Sequence, residues 1–367
     1  MIPFLSFDYQ NNIIREDLIS SIKKIIDSNL YVLGQNVLDF EKKYSELSDV
    51  KYAIGVGSGL DALTIALKAL NIKSSDEVIV ASNSYIACWL SISNVGANIV
   101  PVEPDSDTFN INPNLIEEKI SSRTKVIMPV HLYGQPCEMD KIMALSKKYG
   151  LFVVEDNAQS HLAKYNSNYT GSFGDINATS FYPTKNLGAI GEAGCITTNN
   201  KNLRDYVKAY RNYGSNKKYF NIIKGSNSRI DEIQASILNV KLKYLIKWNE
   251  QRKILASIYD SLLKDIQEIS TPVVMENSEH VYHLYVIKTS ERDKLQKFLN
   301  NNQIATSIHY PIPPHLQDAY KDLGYKKGDF PIAEKLAETS LSLPLYPGLK
   351  EEQIEFICEK ISKFFSR

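Results

Sequence analysis

The chain has 367 residues, 43% of them hydrophobic and 23% charged, a composition that is ordinary for a globular protein. Its 42 basic and 42 acidic side chains give a formal net charge of zero, so no basic excess favours a nucleic-acid partner. The length suits two domains, or one large domain with a smaller appendage.

The first half of the chain is predicted to alternate strands and helices. An extended arm is expected over residues 1–12, followed by helices at about 16–28 and 37–48. The next predicted strands are 52–56, 77–80, 98–102, 125–130 and 151–154, and the helices between them are about 60–70, 85–96, 113–120 and 138–149. Repeated strand–helix–strand units favour an α/β fold with a largely parallel sheet, in which ligands bind beyond the carboxyl ends of the strands.

The second half begins with a predicted strand at 193–198 and a helix at about 201–210, which lead to a polar loop over 212–228. A long helix is predicted from Ile230 past Trp248. We place a domain boundary near residue 250, which gives a large domain (1–250) and a small C-terminal domain (251–367). The elements predicted in the small domain are a strand at 282–287, a helix at about 291–301, a short strand near 304–308, and helices near 332–340 and 351–365.

A glycine-rich turn, Gly57-Ser58-Gly59, is predicted between the first strand and the helix that follows it. Backbone amides at the start of a helix favour a phosphate, but such turns are common and a plain tight turn is the alternative for these residues alone. The turn is a poor match to the GxGxxG fingerprint of nicotinamide-binding proteins, because its last spacing is wrong.

Two other predicted strand ends carry candidate side chains. The segment Glu155-Asp156-Asn157-Ala158-Gln159 follows an apolar strand, where a carboxylate either faces a ligand crevice or caps a helix. Ser84-Tyr85 stands at the start of a helix, where an aromatic ring either covers a flat ligand or packs in the core.

The segment from Ser180 to Lys185 ends a further predicted strand. Pro183 stops strand pairing because it has no amide proton, so Lys185 lies on a loop just past the strand end. An ordinary surface lysine would be charged there. A desolvated lysine would be partly neutral, and its amine would be a nucleophile towards aldehydes.

In chain order these segments offer backbone amides for a phosphate, an aromatic ring, a carboxylate and an amine. These are the groups that pyridoxal 5′-phosphate (PLP) requires. Its aldehyde takes an amine, and its ring nitrogen stays protonated beside a carboxylate. The chain resembles the DegT/DnrJ/EryC/StrS-type sugar-nucleotide aminotransferase family over essentially its whole length. The matching segments are 56–62, 84–85, 131–135, 155–159, 180–185 and 227–235.

This resemblance implies the aspartate-aminotransferase-like PLP fold type I, with a large, mostly parallel sheet domain and a smaller α+β C-terminal domain. Lys185 would form the Schiff base with the cofactor and carry protons, and Asp156 would pair with the ring nitrogen. Gln159 would contact the phenolate oxygen, and Tyr85 would stack on the ring. The residues implied to bind the phosphate are Ser58, Gly59, Ser180 and Asn227. Asn227 would reach the cofactor of a neighbouring subunit, so a homodimer with shared active sites is expected.

The expected substrates also follow from the resemblance. The segment 182–189 resembles the branch of the family that aminates carbon 3 of keto-sugar nucleotides, and 308–315 is similar to enzymes acting on dTDP-3-keto-6-deoxyhexoses. Tyr182, His309 and Tyr310 would then touch the hexose or its diphosphate, with a structural cluster as the alternative. The implied reaction moves an amino group from glutamate to carbon 3 and gives a dTDP-3-amino-3,6-dideoxyhexose.

Three alternatives stay open at this point: the same transamination on a UDP-linked 3-keto sugar, the same transamination at carbon 4, and a nicotinamide-dependent dehydrogenase. Related dehydratases have histidine at the position of Lys185, so lysine favours transamination. A nicotinamide-dependent sugar-nucleotide dehydrogenase would need its fingerprint in the first strand–helix unit, which lacks it.

The cysteines and histidines suggest no metal site. The four cysteines are scattered without a CxxC pair, which predicts neither a zinc site nor a disulfide framework and favours a reducing cytoplasm. The residues His161, His280 and His283 are expected to be structural. No run of about eighteen apolar residues occurs, so no membrane span is expected.

Overall fold

The computed structural model describes residues 1–366, in which helices and strands alternate along most of the chain. The helices are α1 Asp8–Ser28, α2 Gln35–Leu47, α3 Gly59–Ala69, α4 Ile86–Asn94, α5 Met139–Tyr149, α6 Lys201–Tyr210, α7 Glu232–Leu242, α8 Leu245–Leu263, α9 Arg292–Asn301, α10 Pro331–Thr339 and α11 Glu351–Phe365. The strands are β1 Tyr52–Val56, β2 Glu77–Ala81, β3 Asn98–Val102, β4 Thr124–Met128, β5 Phe152–Val153, β6 Lys164–Tyr165, β7 Asn168–Tyr169, β8 Asn177–Ser180, β9 Gly194–Thr198, β10 Ser215–Lys217, β11 Phe220–Asn221, β12 Ser278–Glu279, β13 Tyr285–Lys288 and β14 Ser340–Leu343.

The central layer is a sheet made of two parts. One part is parallel, in the order β3-β2-β4-β5, and the other is β1-β9-β8, in which β9 runs antiparallel to both neighbours. Asp156 joins the parts, since its backbone forms parallel bridges with Val130 on one side and Ala178 on the other. The predicted α/β fold with a largely parallel sheet is therefore confirmed, with β9 as the reversed strand.

Helix α3 shows how the sequence builds this layer. Ser58 caps its start, and the side-chain oxygen accepts a hydrogen bond from the Asp61 amide at 3.1 Å. The helix packs on β8 and β9. Its inward face buries Leu63 and Leu67 completely, at about 1.5–3 kcal/mol for each side chain. The helix is thereby fixed with its N-terminus at the carboxyl end of β1.

The C-terminal part of the chain has an apolar core of its own. Strands β13 and β14 pair antiparallel, and α8, α9 and α11 contribute buried side chains beside them. The rings of Tyr259 and Tyr285 stack there with centroids 4.7 Å apart. The predicted boundary near residue 250 falls within α8, and the division into two domains stays a prediction.

Two predicted helices differ from the structure: the first begins earlier than predicted, and the long one is broken into two. The N-terminal arm is shorter than predicted because α1 begins at Asp8, whose amide donates to the Ser6 hydroxyl at 3.1 Å. The helix predicted from Ile230 past Trp248 is broken between α7 and α8, where Tyr244 donates back to the Lys241 carbonyl at 2.9 Å in a tight turn.

Two other short elements were predicted wrongly. Residues 113–120 form two separate 3₁₀ turns, the first of which is capped by the Asn112 side chain. Residues 304–308 make only isolated bridges, from Ile304 to Ile2 and from Ser307 to Ser342. Among residues 1–366 we find no helix with both the length and the apolar character that crossing a membrane requires.

Candidate active site

A cavity of about 430 Å³ lies at the carboxyl ends of the parallel strands, where α3 and α4 begin. Its walls come from segments that are far apart in the chain, including the ends of β5 and β8 and the loop around 309–310. The residues predicted for the site that line it are Ser58, Gly59, Tyr85, Asp156, Gln159, Ser180, Tyr182, Lys185, His309 and Tyr310.

Lys185 lies in the wall of this cavity, in the turn that follows β8. Its backbone amide donates to the Tyr182 carbonyl at 2.9 Å, which closes the turn. Burial lowers the pKa of Lys185 to about 8 from its ordinary value of 10.5, while the negative charge of Asp156 opposes the shift. The amine is therefore partly neutral at mildly alkaline pH, as a nucleophile must be.

Two side chains of helix α7 form hydrogen bonds to the loop that carries Lys185. The buried ammonium of Lys241 donates to the Gly188 carbonyl at 2.7 Å, and the Gln234 side chain accepts from the Ile190 amide at 2.9 Å. Each bond holds the loop backbone, so the position of the Lys185 amine depends on a helix some fifty residues further along the chain.

Asp156 presents a buried carboxylate to the same cavity. One oxygen accepts from the Ala158 amide at 2.9 Å, and the other accepts from the thiol of Cys88 at 3.0 Å. Burial raises the pKa of that thiol well above its ordinary value, so it stays protonated and donates. A carboxylate fixed in this way can hold the proton of a pyridine ring nitrogen.

The corner of the cavity where α3 begins has the groups that a phosphate requires. The Ser58 and Ser180 side chains line the cavity beside the first backbone amides of α3. A β-carbon on Gly59 would lie 2.6 Å from the β-carbon of Ser180, so only glycine leaves this corner open. Free amides and hydroxyls at a helix N-terminus fit the phosphate of PLP.

Tyr85 is the aromatic side chain at the mouth of the cavity. Its ring is half exposed and lies 5.0 Å from the ring of Tyr310, centroid to centroid, at an angle of 34°. Gln159 accepts from the Tyr133 amide at 2.7 Å and donates to the Tyr310 hydroxyl at 3.1 Å. One amide hydrogen of Gln159 is left for a cofactor oxygen.

The residues expected to bind the sugar share this cavity. Tyr182 is 47% exposed. The Nδ1 atom of His309 bonds the Ser342 hydroxyl at 2.8 Å, and the Tyr133 hydroxyl donates to the His309 carbonyl. Burial, helped by the charge of Lys185, lowers the pKa of His309 to about 4. His309 is thus a neutral hydrogen-bonding group at physiological pH.

Asn227 is the predicted site residue that lies elsewhere. It is exposed, pairs with Asn212 in an isolated bridge, and is not part of the cavity wall. Its contact with a neighbouring subunit's cofactor stays a prediction.

Several cavity residues were missed in the sequence. Cys88 lies behind the cavity wall, where its thiol bonds the Asp156 carboxylate, and nothing in the sequence indicated this contact. Glu192 and His283 also line the cavity. The prediction that His283 is structural did not anticipate this position in the cavity wall. His161 and His280 are not part of the wall, and they bond backbone groups of Ser180 and Tyr282 instead.

We expect the rate at which the cofactor-free protein binds PLP covalently to rise with pH up to about 8 and to level off above it. The reason is that only the neutral amine of Lys185 attacks an aldehyde, and its neutral fraction is one half at its pKa and approaches one above it. Stopped-flow absorbance measures this rate. Pyridoxamine phosphate has no aldehyde, so its binding is the control and should lack this pH step. A PLP rate that still climbs towards pH 10.5 would show that the amine is not desolvated.

The desolvated lysine, the fixed carboxylate and the phosphate corner, at the edge of this sheet, together define a PLP-dependent enzyme of fold type I. The model of the DegT/DnrJ/EryC1/StrS aminotransferase family matches residues 12–362. The chain belongs to this family.

Individual relatives agree with this assignment. The chain is 47% identical to the dTDP-3-amino-3,6-dideoxy-alpha-D-galactopyranose transaminase of Aneurinibacillus thermoaerophilus, over 99% of each chain. It is 39% identical to the UDP-N-acetyl-3-dehydro-alpha-D-glucosamine 3-aminotransferase of Acidithiobacillus ferrooxidans, over 95% of this chain and 94% of that one. The crystal structure of Streptomyces venezuelae DesV with a ketimine intermediate has a TM-score of 0.98 at 40% identity and covers 100% of this chain and 99% of DesV.

The protein is therefore a PLP-dependent aminotransferase that acts on sugar nucleotides. Membership of this aminotransferase family excludes the nicotinamide-dependent dehydrogenase that the sequence alone left open.

Proposed function

We propose that this enzyme moves an amino group from glutamate to carbon 3 of a dTDP-3-keto-6-deoxyhexose and gives a dTDP-3-amino-3,6-dideoxyhexose. The observation that carries the chemistry is the desolvated amine of Lys185 in one cavity with the carboxylate of Asp156. The sugar is inferred from the 47% identical relative, whose name specifies a dTDP-linked 3-amino-3,6-dideoxyhexose.

In the proposed reaction each cavity residue has a separate role. PLP, when bound, supplies an electron sink for the charge that develops on the substrate carbon. The Nζ atom of Lys185 would hold the cofactor covalently and would also move a proton at that carbon. Asp156 keeps the ring nitrogen protonated. Ser58, Gly59 and Ser180 bind the phosphate, while Tyr85 covers the ring.

The hexose-binding role of Tyr182, His309 and Tyr310 rests on their shared wall of the cavity. His309 is neutral, and burial raises the pKa of Tyr310 well above its ordinary value, so both can donate hydrogen bonds without adding charge. Such donors suit sugar hydroxyls and the oxygens of a diphosphate.

The enzyme works as a homodimer in the cytoplasm in this proposal. The hairpin β10–β11 exposes Tyr219, Phe220 and Ile222 close to Asn227 in the chain, an apolar surface that a second copy would cover. Covering it would bring Asn227 towards the partner's cofactor. The cytoplasm is supported by the cysteines Cys88, Cys137, Cys195 and Cys358, which are all free and buried.

A UDP-linked 3-keto sugar is the second candidate substrate, because the 39% identical relative is named for one. We expect kcat/KM to be at least about tenfold higher with the dTDP-linked 3-keto sugar, since a pocket shaped for the thymine methyl group loses its contacts with uracil. Steady-state assays with matched dTDP- and UDP-sugars, and NMR of the product, test both the nucleotide and the carbon that is aminated. Preference for the UDP-sugar, or an amine on carbon 4, would contradict the proposal.

A further inference from the structure

His283 lines the active-site cavity, yet neither ring nitrogen has a hydrogen-bond partner among residues 1–366. The residue is only 8% exposed. Its Nδ1 atom is buried and unpaired, whereas Nε2, also without a partner, keeps some accessible surface. A buried polar ring with no partner in its own protein is a costly arrangement, and it indicates that the partner is supplied from the cavity.

The backbone around His283 is held firmly, so the ring is not simply loose. The guanidinium of Arg252 donates to the carbonyls of Tyr282 at 3.2 Å, His283 at 3.3 Å and Leu345 at 3.0 Å. On the other side, a β-carbon on Gly134 would lie 2.9 Å from the His283 amide nitrogen. The side chain is therefore presented to the cavity from a packed part of the fold.

The charge and tautomer of His283 can be argued from its surroundings. Burial first, and then the positive charges of Lys185 and Arg252, lower the pKa of His283 well below 6.5, so the ring is neutral. A neutral imidazole has one N–H, and buried N–H groups without an acceptor are rarer than unpaired acceptor atoms. The favoured tautomer leaves Nδ1 as the bare acceptor and puts the hydrogen on the accessible Nε2.

We propose that His283 is a further substrate-binding residue, whose neutral Nε2–H donates a hydrogen bond to an oxygen atom of the substrate. This inference rests on the proposed function. The oxygen belongs either to the keto-hexose or to the carboxylate of the amino donor, since both substrates enter the same cavity in turn.

The test measures the two half-reactions separately with the PLP-loaded enzyme, following the cofactor absorbance in single turnovers. Glutamate is the substrate of one half-reaction and the dTDP-3-keto sugar of the other. We expect His283→Phe to lower kcat/KM roughly tenfold in one half-reaction, mainly through a weaker apparent substrate affinity, and to leave the other unchanged. His283→Gln keeps an N–H donor and should recover much of the loss.

A loss with the keto sugar assigns the hydrogen bond to a sugar oxygen, and a loss with glutamate assigns it to a carboxylate. His280→Gln is the matched control, because His280 is a buried histidine three residues away that bonds the Tyr282 amide and does not line the cavity. The His280→Gln variant should run both half-reactions at wild-type rates. Unchanged rates in His283→Phe, or equal losses in both half-reactions with weaker PLP binding, would overturn the inference.

A second measurement does not depend on how well a variant folds. In wild-type enzyme labelled with ¹⁵N-histidine, the Nε2 resonance of His283 should shift when the assigned substrate or the amino-sugar product is added. A resonance that ignores both substrates refutes the hydrogen bond. If the wild-type enzyme turns over neither dTDP- nor UDP-linked sugars, it is the proposed function that fails, not the role of His283.

Discussion

Replacing Lys185 with alanine lowers kcat by at least about 10³-fold, because one substitution removes both the covalent nucleophile and the proton carrier. The fold should remain, since the Lys185 amine is desolvated and forms no ion pair within residues 1–366 that the protein needs for stability. Steady-state kinetics and a thermal melt of the same sample measure the two effects. Lys185→Arg should be equally inactive, because a guanidinium does not become neutral at these pH values.

The matched control for this prediction is Lys247→Ala, which removes an exposed lysine from α8. It should retain wild-type turnover. Borohydride reduction of the PLP-loaded wild-type protein, followed by peptide mass spectrometry, should find the cofactor attached at Lys185. Attachment elsewhere, or substantial turnover by Lys185→Ala, would mean that another amine does the chemistry.

Asp156→Asn is expected to have the second-largest effect. An amide cannot hold the proton of the ring nitrogen, and removing one partner of a buried charge pair costs about 3–5 kcal/mol. That cost corresponds to a fall in kcat/KM of roughly 10²- to 4 × 10³-fold. The asparagine oxygen can still accept from the Ala158 amide, so the change in stability should be small by comparison.

The kinetics of Asp156→Asn need a carboxylate control outside the cavity. Asp205→Asn, on the exposed face of α6, provides one and should leave kcat/KM unchanged. The dissociation constant for PLP should also rise in Asp156→Asn alone. If that variant keeps activity within about tenfold of wild type, the carboxylate is not the partner of the ring nitrogen.

The parts of the site that were predictable lie close to strong local signals. Lys185 and Asp156 each follow a strand, and Ser58 and Gly59 open a helix, so topology alone brings them to one edge of the sheet. The chain order of these groups then matched a known family.

The parts that were missed depend on contacts between distant segments. His283 reaches the cavity because Arg252 and the segment around Gly134 hold its backbone, and nothing near residue 283 in the sequence shows this. The break between α7 and α8 was hidden because apolar spacing continues across it. The short elements at 113–120 and 304–308 failed because a few residues do not distinguish a turn or an isolated bridge from a regular element.

The backbone of Asp156 is the seam between the two parts of the central sheet, bridged to Val130 on one side and Ala178 on the other. Tyr182, His309 and Tyr310, by contrast, stand on connecting loops. In the proposed function, the group that withdraws electrons is thus part of the sheet, while the residues proposed to contact the sugar stand on loops. An engineer could exchange the loop around 304–316 for that of a relative and retune the acceptor without rebuilding the catalytic centre.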